Sequence, residues 1–377
     1  MGRAVPTAYH AGVNQRPARA ADVAARAGVS VTAVSFVLGG KADGNIAAAT
    51  RDRILAAAAE LGYRPNRVAQ SLRANRTHAL GLMTDGIASS PFAGRLLAAA
   101  GRRAAELGQV LIVHDSHFDT ERDQHTADDL AARRVDAIIY ATMGLRRVDA
   151  LPTTSLPLVL ANCFQDEDVR PTGIPDEESV GRQAAHLLIE AGHRRVVMLS
   201  GQGVGDSHDP YRGNVAGPLR AKAFLTGLRA CEIARRAGEV VVAGWGIRDG
   251  HAGALRVLLD GNGRLLAARD RPTAIFAVND RVAVGAVMGA MSVGLCVPED
   301  LSVVGVDDQE ELADQLVPAL TTFRLPHVEM GVWAVDAAQS LIDPGRGAGP
   351  VEPGRTLLPF HLVRRATVGP PNPVAGT

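Results

Sequence analysis

The sequence predicts two architectures in tandem: a small all-α helix-turn-helix head followed by an α/β body of two lobes. Three observations carry this. First, the formal charge of the 377 residues is zero, yet residues 1–78 hold eleven cations against four acids, a surplus of seven that the rest of the chain cancels. Second, two short helical stripes near the N-terminus are joined by Ala27-Gly28-Val29-Ser30. Third, from Ala79 onward apolar runs of strand length alternate with helical stretches, the pattern of buried parallel sheets.

Composition sets the bounds. Hydrophobic residues make up 46% and aromatics 4%, which is globular. There is no unbroken apolar run of about 18 residues, so no membrane span is expected. Residues 1–17 contain no apolar segment of the kind a secretory signal needs, and read as a disordered basic extension. Cys163, Cys231 and Cys296 are far apart, fit no zinc spacing and leave an odd one over. The expectation is a reduced, cytoplasmic protein without a metal or other cofactor.

The head spans residues 18–64. In the first helix, around Ala20 to Ala27, Val23 and Ala27 share a face. Gly28 suits the helix end, where a positive φ costs glycine little. Ser30 is a good N-cap for the next helix. There Val34, Val37 and Leu38 form the inward stripe, while Thr32 and Phe36 lie four apart on another face. A third helix, roughly Ala48 to Leu61, is expected to turn Ile54, Leu55, Ala58 and Leu61 inward, with Gly62 ending it. Two helices about a short glycine turn, a supporting third and a basic balance describe a reader of double-stranded DNA.

Asp22-Val23-Ala24, Ala27-Gly28-Val29-Ser30, Val34-Ser35 and Val37-Leu38, followed by Glu60-Leu61-Gly62-Tyr63-Arg64-Pro65-Asn66, resemble the head of the LacI/GalR family of transcriptional regulators. The resemblance implies that the second helix enters the major groove. Ser30, Val31, Thr32, Ser35 and Phe36 would then face DNA. The family often has Arg where this chain has Phe36. Arg can pair with guanine, whereas Phe offers only apolar contact, for example with a thymine methyl. Phe36 is either that apolar reader or a residue packed sideways on the third helix.

Residues 65–78 are the expected hinge. Pro65 breaks the preceding helix. By resemblance the segment becomes helical on DNA, Asn66, Arg67 and Ala69 contact it, and Leu72 is the wedge between base pairs. The plainer reading is a linker, since so short a helix is marginal alone.

The body, residues 79–366, contains "ALGLMTD", "VLIVHD", "DAIIYAT", "LPLVLAN", "RRVVMLSG", "EVVVAG", "AIFAVND" and "LSVVGVDD" as strands. Helical stretches lie at Arg95–Leu107, Val180–Ala191, Leu219–Ala230, His251–Leu259 and Val282–Val293. So long a run needs two lobes. The resemblance implies a body like periplasmic sugar-binding proteins, with crossings between lobes near Val180, Arg324 and Pro353. Residues 367–377 read as a flexible tail. With no heptad pattern in them, a homodimer on a pseudo-palindromic operator is expected, rather than a coiled-coil tetramer.

Strands ending in Asp85, Asp115, Asn162, Asn279 and Asp307 place polar groups where α/β sheets bind ligands. By resemblance Arg220, Asn279 and Asp307 contact a small effector, a sugar or nucleoside-like molecule. Trp245 would stack on it and Phe92 line the first lobe. Arg220, read as lying in the first turn of its helix, needs a compensating group there. Each strand-end group has an ordinary alternative as a cap or turn former. Tyr211 and His208, in a long loop before Arg220, could reshape the pocket.

Enzyme motifs are wanting. There is no P-loop and no G-x-S-x-G elbow. "GQGVGD" departs from the dinucleotide fingerprint, and His114 with His117 lacks a third ligand. The rivals are a sugar-transport protein with this body, which would need a leader and no head, and a cytosolic sugar or nucleotide enzyme carrying a DNA-binding head.

Overall fold

A computed structural model describes residues 18–39, 46–64, 76–90, 93–116, 119, 122–201, 213–231, 238–345 and 350–372. The extension 1–17, the hinge residues Asn66, Arg67, Ala69 and Leu72, and Phe92, His117, His208 and Tyr211 lie outside the described residues. The chain divides into two compact units, residues 1–77 and 78–377.

The head holds α1 (Ala20–Ala27), α2 (Val31–Leu38) and α3 (Ala48–Glu60). Gly28 closes α1 at φ 65°, and the Val29 N–H reaches back to the Ala24 carbonyl at 3.0 Å. This is the left-handed exit that lacks a Cβ penalty only in glycine. Ser30 caps α2, its Oγ accepting from the Ala33 N–H at 3.2 Å. The chain bends by 104° between α1 and α2, within the helix-turn-helix range. Val23, Ala24, Ala27, Val34, Val37, Ile54, Ala57 and Ala58 form the core. Leu55 and Leu61, expected inward, are 45% and 37% exposed. The inward stripe of α3 is 54, 57 and 58, with Leu55 turned about 100° off it, and Leu61 lies past the helix as its C-cap.

The described strands of the body are β1 (Ala79–Thr84), β2 (Val110–Asp115), β3 (Ala137–Arg147), β4 (Leu158–Phe164), β5 (Pro171–Pro175) and β6 (Val196–Ser200), then β7 (Gly238–Val242), β8 (Ala274–Ala277), β9 (Ser302–Asp307), β10 (Thr321–Arg324), β11 (Gly354–Leu358) and β12 (His361–Val363). Its helices are α4 (Gly94–Glu106), α5 (Asp123–Ala132), α6 (Glu177–Glu190), α7 (Ala216–Ala230), α8 (Ile247–Leu258), α9 (Asp280–Ser292) and α10 (His327–Ile342). One sheet has the order β2-β1-β3-β4-β5-β11 and the other β7-β6-β8-β9-β10-β12. All neighbours are parallel except β12, antiparallel to β10.

The central strands are buried on both faces, which is why they read as continuous apolar runs. In the first lobe Leu96 and Ala100 of α4 and Met330 and Ala334 of α10 join Leu80, Leu82 and Ile139 in one core. On the other side Leu130 of α5 joins Met83, Ile138 and Tyr140. In the second lobe one core cluster takes in residues of the sheet and of its helices, among them Phe276 of β8, Phe224 of α7 and Val287 of α9.

The chain changes sheets three times: at Asp176, between β5 and α6; between Arg324 and His327; and between Leu358 and His361. The second lies directly after β10, which ends at Arg324. The first is four residues earlier than Val180, because α6 begins at Glu177 and Val180 is already inside the second lobe's core. The third comes after Pro353, because β11 intervenes and adds a sixth strand to the first sheet.

Residues 367–372 are not a flexible tail. Thr367 is fully buried: its carbonyl accepts from the Val303 N–H at 2.8 Å and its Oγ1 donates to the Val303 carbonyl at 2.7 Å. Gly369 bonds through its N–H to Ser302 Oγ at 3.0 Å, and its carbonyl lies 2.9 Å from His193 Nε2. The segment satisfies backbone groups beside β9 that would otherwise be buried without partners.

Candidate functional site

In the head, α2 divides cleanly. Val34 and Val37 point into the core, while Ser30, Val31, Thr32, Ser35 and Phe36 are all exposed. Phe36 is 43% exposed and Val31 49%, and neither belongs to the head's core. The sideways packing of Phe36 on α3 is therefore not what the structure shows. A short helix presents two apolar and three hydroxyl side chains together on its outer surface. That face can make apolar contact with thymine methyls and hydrogen bonds with base edges or phosphates.

In the body, strand orders 2-1-3-4-5 and 7-6-8-9-10 reverse direction between β1 and β3 and between β6 and β8. The crevices outside the carboxyl ends of strands at such switch points are where open α/β sheets bind ligands. A cavity of about 40 Å³ lies there between the lobes. Met143, Gly144 and Asn162 wall it on one side; Glu177, Arg220, Trp245, Asn279 and Asp307 wall it on the other. The sequence placed Arg220, Trp245, Asn279 and Asp307 in one pocket, and the fold brings those four together.

Arg220 governs this wall. Its helix begins three residues before the expected start, so Arg220 sits in the second turn of α7 and not in the first. What needs compensating is burial: its side chain is 4% exposed. Nε and Nη2 donate to the two carboxylate oxygens of Glu177, at 2.5 and 3.0 Å, and Nη1 donates to the Val278 carbonyl. The fork-to-fork geometry is the strong form of such a pair. Burial pushes the Glu177 carboxyl upward, and the Arg220 charge opposes it.

Two helices must lie close for this pair to form. Gly181, one turn beyond Glu177 on α6, faces the backbone of α7; a Cβ there would run into the Arg220 carbonyl and the Ala223 methyl. Glu177 escaped the sequence reading. It stands in Asp176-Glu177-Glu178, which reads as acids complementing a helix N-terminus. Only the approach of α7 singles it out.

Asp307 ends β9 with φ 117°, and Asn162, two residues before the end of β4, has φ 57°. Such conformations are held by their surroundings and gather at binding sites. Gln309 Nε2 donates to Asp307 at 2.9 Å. Burial raises the Asp307 pKa to about 6, with Arg220 pulling the other way. Behind it Asp280 is fully buried and accepts from Thr322 and the Gln309 N–H. Burial first, then the Asp307 charge, pushes its pKa well up.

Asn279 acts first as a cap: its oxygen accepts from the Val282 N–H at 2.8 Å, and its Nδ2 donates to the Trp245 carbonyl at 3.1 Å. Asn162 spends its Nδ2 on the Thr142 and Met143 carbonyls. In the first lobe Asp85 pairs with Arg146 and accepts from the Met143 N–H. Across the mouth, the Val215 N–H donates to the Leu145 carbonyl at 2.9 Å, and Arg95 pairs with Glu310 at 2.9 Å. These contacts hold the lobes together. Among the described residues no group of His, Cys, Asp and Glu could hold a metal ion, and no single helix is long and apolar enough to cross a membrane.

A helix-turn-helix unit in one chain with a two-lobed, cleft-bearing α/β body defines a ligand-responsive DNA-binding regulator. Comparison with known proteins is specific. Residues 21–66 match the model of bacterial regulatory proteins, lacI family. Residues 77–220 match periplasmic binding proteins and sugar binding domain of LacI family, and residues 185–368 a periplasmic binding protein-like domain. The HTH-type transcriptional regulator DegA of Bacillus subtilis is 30% identical, over 93% of this chain and 98% of its own. The HTH-type transcriptional repressor PurR of Erwinia tasmaniensis is 31% identical, over 82% of this chain and 86% of its own. A crystal structure of the lac repressor dimer bound to operator and the anti-inducer ONPF superposes with a TM-score of 0.69 at 26% identity, over 94% of this chain and all of that one. The chain belongs to the LacI family of transcriptional regulators.

Proposed function

We propose that this regulator is a repressor that works as a homodimer on a pseudo-palindromic operator, and that a small effector bound between its lobes sets operator affinity. The observation that carries the DNA half is the exposed face of α2, with Ser30, Val31, Thr32, Ser35 and Phe36 outward on a closed three-helix core. The solved dimer of the lac repressor on its operator supports the same arrangement. The hinge residues Asn66, Arg67, Ala69 and Leu72 complete the DNA surface in this reading.

The effector half rests on the cleft at the two switch points. Arg220, Trp245, Asn279 and Asp307 form its wall, and Phe92 is assigned to the first lobe's side. A sugar or nucleoside-like molecule suits these groups. The present cavity has room for a water or two, so entry requires the lobes to part. An effector then acts through its preference for one lobe arrangement. We read the body as a binding protein and not an enzyme. Among the described residues the cleft carboxylates Glu177 and Asp307 accept from Arg220 and Gln309, an arrangement that pairs no nucleophile with a base. The protein acts in the cytoplasm, where its DNA is.

The test is binding to the DNA upstream of its own gene against unrelated DNA of equal length, across a salt series. Preference on the order of 10³ or more at physiological salt supports the reading. Both affinities should fall with salt as phosphate contacts are lost. Equal affinity for the two fragments at every salt would count against it. Sugars and nucleosides added to the same assay then report on the effector.

A further inference from the structure

We propose that the cleft selects its effector by charge: it takes a neutral or cationic, hydroxyl- or amine-bearing molecule and rejects phosphorylated and carboxylated ones, with Glu177 setting the preference. This rests on the cleft being the effector site.

The cleft wall holds one cation, Arg220, and two carboxylates, Glu177 and Asp307. Glu177 occupies two of the five N–H donors of Arg220, and the Val278 carbonyl a third. The cation a phosphate would seek is thus already neutralised by a carboxylate, itself 2% exposed, in bidentate geometry. Asp307 is in no ion pair among the described residues, and Asp280 stands behind it. Of the cations nearby, Arg146 pairs with Asp85 and Arg95 with Glu310, while Arg324 and Arg365 share Asp308 outside the cleft wall.

The neutral groups add no anion site of their own: Asn279 is spent at both ends, on the Val282 N–H and the Trp245 carbonyl, and Asn162 turns its nitrogen to the Thr142 and Met143 carbonyls. A wall carrying net negative charge favours ligand donors and repels ligand anions, which is selectivity by an unfavourable element as much as by a favourable one. Anion binding at Arg220 would require breaking its pair, and that leaves a carboxylate buried and unpaired.

The experiment titrates inorganic phosphate into the full chain by calorimetry, for the wild type, E177Q and E177Q/R220Q. The wild type should show no saturable binding that depends on Arg220, tested against R220Q. E177Q, nearly isosteric, should gain phosphate affinity at least tenfold, and the double variant should lose that gain. Arg220-dependent phosphate binding by the wild type overturns the proposal. So does a folded E177Q, by circular dichroism, without the gain. Should E177Q not fold, the wild-type and R220Q titrations still decide. The cleft's role as effector site fails separately: glucose, glucosamine and adenosine would then leave operator affinity unchanged and show no Arg220-dependent binding, whatever phosphate does.

Discussion

At the scale of single residues, Asp307 carries an electrostatic cost in the folded protein. Its folded pKa of about 6 lies above the usual 3.8, so between those values the native state holds a proton that the unfolded chain does not. Its ionisation therefore destabilises the fold at neutral pH. That penalty is relieved as pH falls through about 6 towards 4. Asp307→Asn should stabilise the unliganded protein at pH 7 by about 1–3 kcal/mol and flatten its stability profile between pH 4 and 6, as read by urea denaturation. The groups facing Asp307 bear on this: Asp280 and Glu177 repel its charge, while Arg220 and Arg95 attract it. A variant that is less stable at pH 7 would show that the carboxylate is held by its surroundings and not suffered by them. Phe36 makes the complementary case in the head. It is exposed, so Phe36→Ala should change the head's stability by no more than about 0.5 kcal/mol while weakening operator binding by about 1–2 kcal/mol. Phe36→Arg should move preference towards guanine at one position per half-site by about 1–3 kcal/mol, measured with a panel of operators substituted one base at a time.

Elements were legible where apolar residues ran together. The eight apolar runs all became strands: β1, β3, β4, β6, β8 and β9 are central and covered on both faces, whereas β2 and β7 are sheet edges with Val110, Val113 and Val242 exposed, and only their composition marked them. The strands that escaped were β5, β10, β11 and β12. β5 is Pro-Thr-Gly-Ile-Pro, whose composition argues against a strand, and the other three span three to five residues. The helix α5 was hidden by its polarity: Asp123 is buried because the Tyr140 hydroxyl donates to it at 2.7 Å. α10 was hidden by buried His327, Gln339 and Ser340. Within the candidate site, Arg220, Asn279 and Asp307 could be named from strand ends and the family resemblance, whereas Glu177 depended on α6 and α7 meeting at Gly181. Gly181→Val should force those helices apart, at a cost of about 1–3 kcal/mol or more. It should also unseat the Arg220 pair, so Arg220-dependent phosphate binding should rise in the variant, as is expected of E177Q. Truncation after Ala366 tests another element the sequence misjudged. Losing the bonds of Thr367 to Val303 and Thr321, and of Gly369 to Ser302, leaves buried groups unpaired. Stability should fall by about 2–5 kcal/mol, against essentially none for a free tail.

Across the whole body, two lobes joined by three strands of chain enclose a cavity too small for a hexose, so binding and lobe motion are one event. The described contacts across the mouth include the backbone bond from Val215 to Leu145, the Arg146–Asn214 bridge it belongs to, and the rim pair of Arg95 with Glu310. Glu310 is 79% exposed, so the pair is screened and contributes about 1 kcal/mol at most. That is small against unfolding but is up to about fivefold in an open–closed equilibrium. Arg95→Ala should therefore leave the melting temperature nearly unchanged yet shift the body towards the open arrangement. An effector that binds in the open form and is retained in the closed one would then enter and leave faster, with a modest loss of affinity. By linkage, the same variant should change operator affinity in the direction that opening dictates and by no more than the same factor. The chain offers its own reporter. Of its two tryptophans, Trp245 lines the cleft while Trp333 packs against β5 in the first lobe, so Trp333→Phe isolates the cleft signal. Stopped-flow fluorescence of Trp333→Phe with and without Arg95→Ala, using an effector found in the operator assay, should show entry and release rates both raised by the second substitution. Unchanged rates with unchanged stability would mean that the lobes are held by their crossings and backbone alone, and that the rim pair takes no part in the switch.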